Sequence, residues 1–434
     1  MNIAILKFGM QGQSAYDYWR DGNTITIHDA NPVPNAPEGV SVIYGDHYLE
    51  NLDRYDLLVR SPSVHPDDIV RANSPEILQK VTTNTNEFFR VCPTKNIIGV
   101  TGTKGKGTTT TFIAKMLEAD GKRVHVGGNI GIPPLDLLKN DIQPEDYVVL
   151  ELANFQLIDL QVSPPIAVCL TVSPEHLDWH KDTAEYIRAK QQLFAHQSDS
   201  DAAVFFAASD YAKEVASVSP GQKIPYFAAP GAHIENDTII IDGIAICKTN
   251  EIKILGRHNW ENICAAVTAV WQVTKDIDAM RSVITTLRGL PYRLELVREH
   301  DGVAYYNDSF STTTLATVAA IEAFTQPKVL IIGGYDRGLD LDELAGSIVK
   351  NSATIRKILL IGASRERIAT ALDAQQFSAY EVTEAQTMRE IVALAKEAAQ
   401  PGDAVVFSPG FASFDMFKNF EDRGDQFRDA VQLL

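Results

Sequence analysis

Short apolar runs alternate with amphipathic segments along nearly the whole chain. The runs "NIAIL", "NIIGV", "YVVLE", "KVLII" and "KILLI" have the length of buried strands, and most lead into a turn that contains glycine. Segments between them, such as "TTTFIAKMLEAD" and "TAEYIRAKQQLF", have the helical spacing of apolar positions. Strands that alternate with helices predict an α/β fold with mostly parallel sheets.

Three stretches of this kind follow one another. The first opens with a strand, the turn "GMQG" and the helix "QSAYDYWRDG", and its next strand ends at Asp29, an order typical of nucleotide-binding units. We therefore expect three domains. These are a Rossmann-like domain over residues 1–92, a central domain over 93–288 and a Rossmann-like domain over 289–434.

Composition narrows the class of protein. The chain has 434 residues, 45% of them hydrophobic, which is enough for several cores. A formal net charge of −17 argues against an extended nucleic-acid surface, and no apolar run approaches the length of a membrane span. The four cysteines have no CxxC spacing, which fits a reducing compartment. We expect a cytoplasmic protein that neither binds nucleic acid nor inserts into a membrane.

The segment "VTGTKGKGTTTT" predicts a phosphate-binding loop between a strand and a helix. Its glycines let backbone N–H groups approach a phosphate, and the helix dipole favours an anion at the same place. Lys106 would neutralise phosphate charge. Gly107 follows this lysine, so Thr108 or Thr109 must supply the hydroxyl that usually binds Mg²⁺. Glu151, at the end of a predicted neighbouring strand, is a further candidate ligand.

Motifs along essentially the full chain resemble those of the Mur ligases of peptidoglycan precursor synthesis, and they occur in the family's order. "TGTKGKGTTT" resembles the family's ATP loop, and "PEHLDWH" with Tyr186 and Lys190 is similar to its metal and lysine region. The other resembling segments are "VGGNIGIP", "ELANFQL", "GRHNWENICAA", "GLPYRLE" and "YYNDS". "SPGFASFDMFKNFEDRGDQF" resembles the carboxyl-terminal signature of the glutamate-adding branch.

The resemblance implies an ATP-dependent amide ligase. Such an enzyme transfers the γ-phosphate of ATP to a carboxylate, and the amine of an amino acid then attacks the acyl phosphate. The implied substrates are UDP-N-acetylmuramoyl-L-alanine, D-glutamate and ATP. The implied cofactors are two Mg²⁺ ions and a carbamylated lysine, and we expect a monomer.

The resemblance also implies roles for individual residues. Lys106, His176 and Lys190 would be catalytic, and the last is the lysine that the family carbamylates. The metal ligands would be Thr108, Glu151, His176 and Lys190. The expected ATP contacts are Gly102, Thr103, Lys104, Gly105, Lys106, Gly107, Thr108, Thr109, Asn259, Asn262, Arg293 and Asp308. The expected contacts to the nucleotide sugar are Gly12, Gln13, Ser14 and Asn129.

The expected contacts to the incoming amino acid depart in part from the family. Thr312, Arg337, Ser413 and Phe420 match the family's positions, but the D-glutamate enzymes usually have lysine where this chain has Arg337. They also have lysine at the position of Phe310 and asparagine at that of Thr313. One cation is thus missing from a site for a dianion, so L-glutamate stays an alternative substrate.

Two further alternatives remain at the level of sequence. A ligase that adds glutamate to a folate shares the "GKGT" spacing, but it predicts no nucleotide-like domain ahead of the ATP loop. A nucleotide-binding switch protein would not need His176, Lys190 and the carboxyl-terminal motif together.

Overall fold

The computed structural model describes residues 1–129, 131–254 and 256–434. They form an amino-terminal unit, Met1–Ile252 with Arg257–Thr286, and a carboxyl-terminal unit, Lys253–Gly256 with Leu287–Leu434. Among the described residues, every helix is too short or too polar to span a lipid bilayer.

The first sheet of the amino-terminal unit has five parallel strands and three associated helices. The strands are β1 (Asn2–Leu6), β2 (Thr24–Asp29), β3 (Ser41–Tyr44), β4 (Leu57–Arg60) and β5 (Val81–Thr82), and the helices are α1 (Met10–Trp19), α2 (Pro66–Ala72) and α3 (Asn84–Val91). The order across the sheet is β3-β2-β1-β4-β5. Four of the five residues of β1 are buried, as expected of a central parallel strand covered on both faces.

Helix α1 begins earlier than the sequence predicts. The turn was expected over "GMQG", but the helix starts at Met10, so Gly12 lies in its first turn. A Cβ atom on Gly12 would lie 2.5 Å from the backbone oxygen of Lys7. The glycine is therefore needed for close packing of the helix on the preceding loop, rather than for a turn conformation.

The second sheet of this unit has six parallel strands. They are β6 (Ile97–Thr101), β7 (Val124–Gly128), β8 (Tyr147–Glu151), β9 (Ile166–Cys169), β10 (Ala202–Phe206) and β11 (Gln222–Tyr226), with helices α4 (Lys106–Ala119), α5 (Pro134–Leu137), α6 (Asn154–Leu157), α7 (Thr183–Ala195) and α8 (Asp210–Ser217). The order β11-β10-β9-β6-β8-β7 puts β6 in the interior, between β8 and β9. All five residues of β6 are buried.

A small antiparallel sheet and two helices complete the amino-terminal unit. The strands are β12 (His233–Glu235), β13 (Thr238–Ile241) and β14 (Ile244–Lys248), and the helices are α9 (His258–Val270) and α10 (Ile277–Thr286).

The carboxyl-terminal unit contains one six-stranded sheet. Its strands are β15 (Glu295–His300), β16 (Val303–Asn307), β17 (Lys328–Gly333), β18 (Ile355–Ile361), β19 (Tyr380–Val382) and β20 (Ala404–Phe407), and its helices are α11 (Thr314–Glu322), α12 (Asp342–Lys350), α13 (Arg365–Ala374), α14 (Met388–Ala398) and α15 (Phe420–Gln432). The order is β15-β16-β20-β17-β18-β19, and β15 alone runs antiparallel to its neighbour. Apolar clusters on both sides of the strands form the core.

The predicted α/β fold class with mostly parallel sheets is confirmed, and three parallel-type sheets follow one another along the chain as expected. The boundaries of the three predicted domains stay a prediction. Residues of the first two expected domains share one unit, and a buried ion pair is among the contacts that join them.

Arg60, at the end of β4, makes this joint with Asp159, which follows α6. Its side chain is fully buried and donates two hydrogen bonds to the Asp159 carboxylate, at 2.6 and 2.7 Å. It also donates to the backbone oxygens of Ser61, Val64 and Phe155. Removing the carboxylate would leave a buried guanidinium without its counter-charge.

We therefore expect Asp159→Ala to lower the free energy of unfolding by about 3 kcal/mol, measured by urea denaturation. The control is Glu118→Ala, which breaks the exposed pair with Lys115 and should cost no more than about 0.5 kcal/mol. Equal effects of the two variants would contradict the structural role of the buried pair.

Candidate active site

The predicted phosphate loop lies at the carboxyl end of β6, where ligands bind in open parallel sheets. Gly105 precedes the first residue of α4 and has a φ of +86°. A Cβ there would lie 2.2 Å from Oδ1 of Asn262. Glycine is therefore required both by the backbone conformation and by the close approach of α9, and the loop ends at the positive end of the α4 dipole.

Two lysines converge on one backbone carbonyl of this loop. The Lys106 ammonium donates to the oxygens of Gly102 and Thr103, at 3.0 Å each. The Lys190 ammonium, which reaches the loop from α7, donates to the same Gly102 oxygen at 3.1 Å. The structure thus brings together two of the three residues predicted to be catalytic.

Lys190 is buried, with 1% of its surface exposed, although a lysine in "YIRAKQQLF" would by itself be taken for a solvated helix residue. Its ammonium lies 4.6 Å from the centre of the Tyr186 ring. Burial and, to a smaller extent, the charge of Lys106 lower the pKa of Lys190 to about 7. In a substantial fraction of the molecules, the Lys190 side chain is therefore a neutral amine at neutral pH.

Tyr186 also anchors the loop itself. Its hydroxyl lies 2.9 Å from that of Thr103, which in turn donates to the backbone oxygen of Ser173 and accepts from the Ser173 N–H. Burial raises the pKa of Tyr186 to about 12, so the hydroxyl stays protonated. Hydrogen bonds thus hold Thr103 between α7 and the loop that follows β9.

The other polar residues predicted here lie at the carboxyl ends of neighbouring strands or in the first turn of α4. Glu151, 4% exposed, ends β8 and pairs in register with Val100 of β6. Its backbone oxygen accepts from the N–H of Asn129, whose side chain is exposed. Thr108 and Thr109 are buried in the first turn of α4.

Helix α9 supplies two of the predicted ATP contacts, Asn259 and Asn262. The Asn262 amide donates to Oδ1 of Asn259 at 2.9 Å, and Asn262 Oδ1 lies 3.5 Å from the Thr109 hydroxyl. Both asparagines are buried. The structure therefore brings them to the start of α4. Lys104 in the loop is exposed, and Gly107, the second residue of α4, is half-buried.

His176 lies in the loop after β9 and is exposed, with a left-handed φ of +57°. Its ring packs against Phe155 at 4.8 Å, and its backbone oxygen accepts the N–H groups of Trp179 and His180. The two hydrogen bonds of this turn hold His176 in a left-handed conformation that is uncommon for residues other than glycine. Backbone strain of this kind is common at functional sites.

A buried hydrogen-bond network lies beside this turn, and the sequence did not indicate it. His65, His180 and Glu185 each offer a ligand atom within 4.8 Å of one another, as a metal site would. However, His65 Nδ1 accepts the backbone N–H of Asp67, so Nε2 carries the proton and donates to Glu185 at 3.3 Å. The Asn154 amide donates to His180 Nε2, which leaves Nδ1–H for Glu185. The partners of both rings favour a network of neutral histidines over a metal site.

The first sheet holds a cavity of about 550 Å³ beside β1 and β2. Gln13 lines this cavity together with Asp29, whose carboxylate accepts the N–H groups of Phe8 and Asn31. Gly12 and Ser14 are buried instead, because the early start of α1 turns them towards the interior. Of Gly12, Gln13 and Ser14, which were predicted to contact the nucleotide sugar, only Gln13 lines this cavity.

In the carboxyl-terminal unit, Asp308 lies buried at the end of β16. Its carboxylate accepts from the hydroxyls of Ser311 and Ser408 and from the N–H of Leu294. Burial raises its pKa to about 6 despite these bonds. Arg293, one residue from Leu294, lies with its guanidinium carbon 3.8 Å from the centre of the Phe310 ring.

Three of the four predicted amino-acid contacts lie on loops of the same unit, and the fourth, Phe420, is the first residue of α15. Arg337 is exposed and donates to the backbone oxygen of Thr312 at 3.1 Å, while Phe420 packs edge-on against Phe310 at 5.0 Å. Ser413 is 2% exposed, and its backbone oxygen accepts the N–H groups of Met416 and Phe417.

Arg423 joins these loops, although its sequence position gave no sign of this. Its guanidinium donates to the hydroxyl and backbone oxygens of Ser309 and to the backbone oxygen of Phe411. The arginine is 1% exposed. Its partners follow the ends of β16 and β20, which are far apart in the sequence.

The buried network predicts a dependence of stability on pH. Burial lowers the pKa of His180 below its ordinary 6.5. Burial acts to raise the pKa of Glu185, but the Lys181 N–H and the two histidines lower it overall, below 4.5. Both groups bind fewer protons in the folded state, so we expect the free energy of unfolding to fall as the pH drops below about 6.5 and again below about 4.5.

Urea denaturation across this range measures the effect. His180→Gln should flatten the loss that begins near pH 6.5. His47→Gln is the control, because the exposed His47 pairs with Glu50, which raises its pKa, and its contribution has the opposite sign. An unchanged slope in His180→Gln would contradict the prediction.

Comparisons with known proteins agree with these motifs. Residues 100–270 match the Mur ligase middle domain, and residues 292–411 match the Mur ligase glutamate ligase domain. The chain is 38% identical over 402 residues to a protein of Clostridium kluyveri named UDP-N-acetylmuramoylalanine–D-glutamate ligase, covering 91% of this chain and 86% of that protein. A protein of the same name from Clostridium botulinum strain Langeland is 36% identical over 404 residues, covering 91% and 87%.

Solved structures share the fold at low sequence identity. UDP-N-acetylmuramate-alanine ligase from Thermotoga maritima superposes with a TM-score of 0.61 at 16% identity, covering 100% of this chain and 99% of that one. A MurF structure from Acinetobacter baumannii has a TM-score of 0.61 at 15% identity, covering 99% and 93%. With the two domain matches and relatives above 30% identity over most of their length, the chain belongs to the Mur ligase family, as the sequence motifs predicted.

Proposed function

We propose that this protein is an ATP-dependent ligase that joins D-glutamate to UDP-N-acetylmuramoyl-L-alanine. The observation that carries the proposal is the convergence of Lys106 and the buried Lys190 on the Gly102 carbonyl. It occurs in a chain that is similar over nine tenths of its length to proteins named for this reaction.

The reaction has two steps. The substrate carboxylate attacks the γ-phosphorus of ATP, which releases ADP and leaves an acyl phosphate. The amine of glutamate then attacks the acyl carbon, phosphate leaves with the C–O bond electrons, and the amine loses a proton. Lys106 stabilises the negative charge on the phosphoryl group during transfer, and the loop and α4 orient it.

The donor atoms at this edge fit Mg²⁺. The Thr108 hydroxyl and the Glu151 carboxylate are oxygen ligands at the ends of adjacent elements, which is the donor type that Mg²⁺ prefers. These two would hold one ion, and His176 with modified Lys190 would hold a second. When bound, Mg²⁺ offsets the charge of the transferred group.

Lys190 is suited to carbamylation. Its lowered pKa supplies the neutral amine, which forms a C–N bond to CO₂ and loses a proton. The product is an anion, so a lysine takes the part of a carboxylate ligand.

The other substrates follow the same division. Residues 1–92 would bind the uridine end in the cavity beside Asp29, residues 93–288 would bind ATP with Asn259 and Asn262, and residues 289–434 would bind glutamate. Asn129 would contact the muramoyl group. We further propose that the enzyme acts as a monomer in the cytoplasm, and that its net charge of −17 keeps nucleic acid from being a partner.

In the carboxyl-terminal unit, Thr312, Arg337, Ser413 and Phe420 would receive the amino acid. The D enantiomer follows the names of the relatives and the carboxyl-terminal motif. Phe310 and Thr313 favour the second candidate, ligation of L-glutamate, because they leave one cation fewer on this loop than the D-glutamate enzymes carry.

A single assay tests the reaction. Purified protein is incubated with ATP, Mg²⁺, UDP-N-acetylmuramoyl-L-alanine and either D- or L-glutamate, and phosphate release and product mass are followed. We expect a new amide with D-glutamate, and a loss of about 1000-fold in Lys106→Ala. An amide with L-glutamate alone would replace the first candidate by the second, and ADP without any amide would refute both.

The carbamate has its own test. Lys190→Ala should lower ligation by about 100-fold, and short carboxylates such as acetate or formate should restore part of the activity by filling the vacated volume with an anion. Lys213→Ala, an exposed lysine on α8, is the control and should behave as wild type. Full activity of Lys190→Ala without added carboxylate would exclude the carbamate.

A further inference from the structure

Hydrogen bonds join three loops of the carboxyl-terminal unit at the carboxyl ends of β16, β17 and β20. Arg337, on the loop after β17, donates to the backbone oxygen of Thr312 on the loop after β16, at 3.1 Å. The Tyr335 N–H donates to the oxygen of Ala412 on the loop after β20, at 2.9 Å, and these two residues form an antiparallel bridge. The loop that carries Arg337 is thus joined to those that carry Thr312 and Ser413, all within one unit.

The loop after β17 also carries a carboxylate beside its arginine, because Asp336 directly precedes Arg337. An unpaired carboxylate at this position would attract the Arg337 guanidinium and repel an acidic ligand. Glutamate brings two carboxylates, and Phe310 already stands where the D-glutamate enzymes have a lysine. A site for glutamate on these loops therefore requires that another group take up the charge of Asp336.

Arg367, the third residue of α13, takes up this charge. Its guanidinium donates to both oxygens of the Asp336 carboxylate, at 2.8 Å each, in the bidentate geometry of strong charge-assisted pairs. It also donates to the backbone oxygen of Leu339 at 2.8 Å, so it holds the loop on both sides of Arg337. The bonds from Arg367, and then that from the Gly338 N–H, lower the pKa of Asp336 below its ordinary 3.8, so this carboxylate is charged at neutral pH.

The guanidinium of Arg337 consequently keeps its own charge unpaired. It is exposed, and among the described residues it forms no ion pair, since the hydrogen bond that it donates goes to a neutral backbone oxygen. A guanidinium has five N–H donors in a planar fork that matches the two oxygens of a carboxylate. The loop therefore presents a cation with donors for an acidic ligand, next to Thr312.

We propose that Arg367 is a positioning residue for the amino-acid substrate. By binding Asp336 and Leu339, it leaves the guanidinium of Arg337 available to a carboxylate of glutamate. This inference rests on the proposed function, in which Arg337 receives glutamate. It adds a residue that contacts no substrate itself and acts through its neighbours on the loop.

Kinetics of the full chain, with ATP, Mg²⁺ and the nucleotide sugar at saturation, test this role. We expect Arg367→Ala to raise the KM for glutamate about tenfold, because the released Asp336 carboxylate opposes an acidic ligand. The kcat and the KM for ATP should stay unchanged. Arg367→Lys keeps the positive charge but not the bidentate geometry, and its KM should lie within about threefold of that of wild type.

A second substitution separates the charge of Asp336 from the tethering of the loop. Asp336→Asn breaks the ion pair without leaving a charge, so it should raise the KM for glutamate no more than about twofold. The double variant Arg367→Ala/Asp336→Asn should return to the KM of Asp336→Asn, because no unpaired carboxylate remains. Equal losses in all three variants would show that the pair only tethers the loop, and would overturn the inference.

Arg356→Ala is the matched control. Arg356 makes a two-bonded pair with Asp403 in the same unit, but this pair lies at the amino ends of β18 and β20. Because Asp403 is buried, the variant should lower the melting temperature, and the KM for glutamate should not change. A rise in this KM equal to that of Arg367→Ala would reduce the effect of Arg367 to a general loss of stability, and the positioning role would be wrong.

Calorimetric titration with glutamate keeps this inference separate from the proposed function. If wild type forms the amide and Arg367→Ala has the wild-type KM for glutamate, the positioning role fails and the ligase proposal stands. If wild type forms no amide with either enantiomer, the ligase proposal fails, and the dissociation constant of glutamate for the same variants decides the role of Arg367. The expected order of the variants would support that role, whereas equal constants, or no binding to wild type, would overturn it.

Discussion

The carbonyl of Gly102 accepts hydrogen bonds from two lysines of different helices, and this close pairing of cations is the constraint on which the candidate site depends. Like charges at this distance repel, and burial adds the cost of removing an ammonium from water. Burial and repulsion together lower the pKa of Lys190, so that its ammonium loses its proton readily. A phosphate group would relieve the same repulsion. The arrangement therefore favours an anion.

The surroundings of this pair are held by buried polar contacts rather than by apolar packing alone. Tyr186 fixes Thr103, and the network around Glu185 links α7 to α2 and to the turn that carries His176. Each histidine of the network has both ring nitrogens engaged, so its tautomer and orientation are set by its partners. Such networks are specific because an unmatched buried donor is expensive. They give the edge of the second sheet a defined geometry.

In the carboxyl-terminal unit, buried polar contacts hold the loops that carry the candidate residues. The candidate residues follow the ends of β16, β17 and β20. The backbone on both sides of Arg293 is left-handed, at Tyr292 and Leu294. Arg423 joins the loops after β16 and β20, because it donates to Ser309 in the first and to Phe411 in the second. An arginine suits this position because its planar donors reach several backbone oxygens at once.

The sequence by itself determined the alternation of strands and helices, the phosphate loop and the family, because apolar periodicity and short motifs are local properties of the chain. It placed Lys106, Glu151 and the start of α7 well, but it expected a turn at Gly12, where α1 has already begun. Only the tertiary structure decided that Lys190 is buried and that His65, His180 and Glu185 meet. It alone showed that Arg293 lies over Phe310. These contacts join residues far apart in the chain, and burial and pairing of side chains arise only when the strand ends are brought to one edge of a sheet.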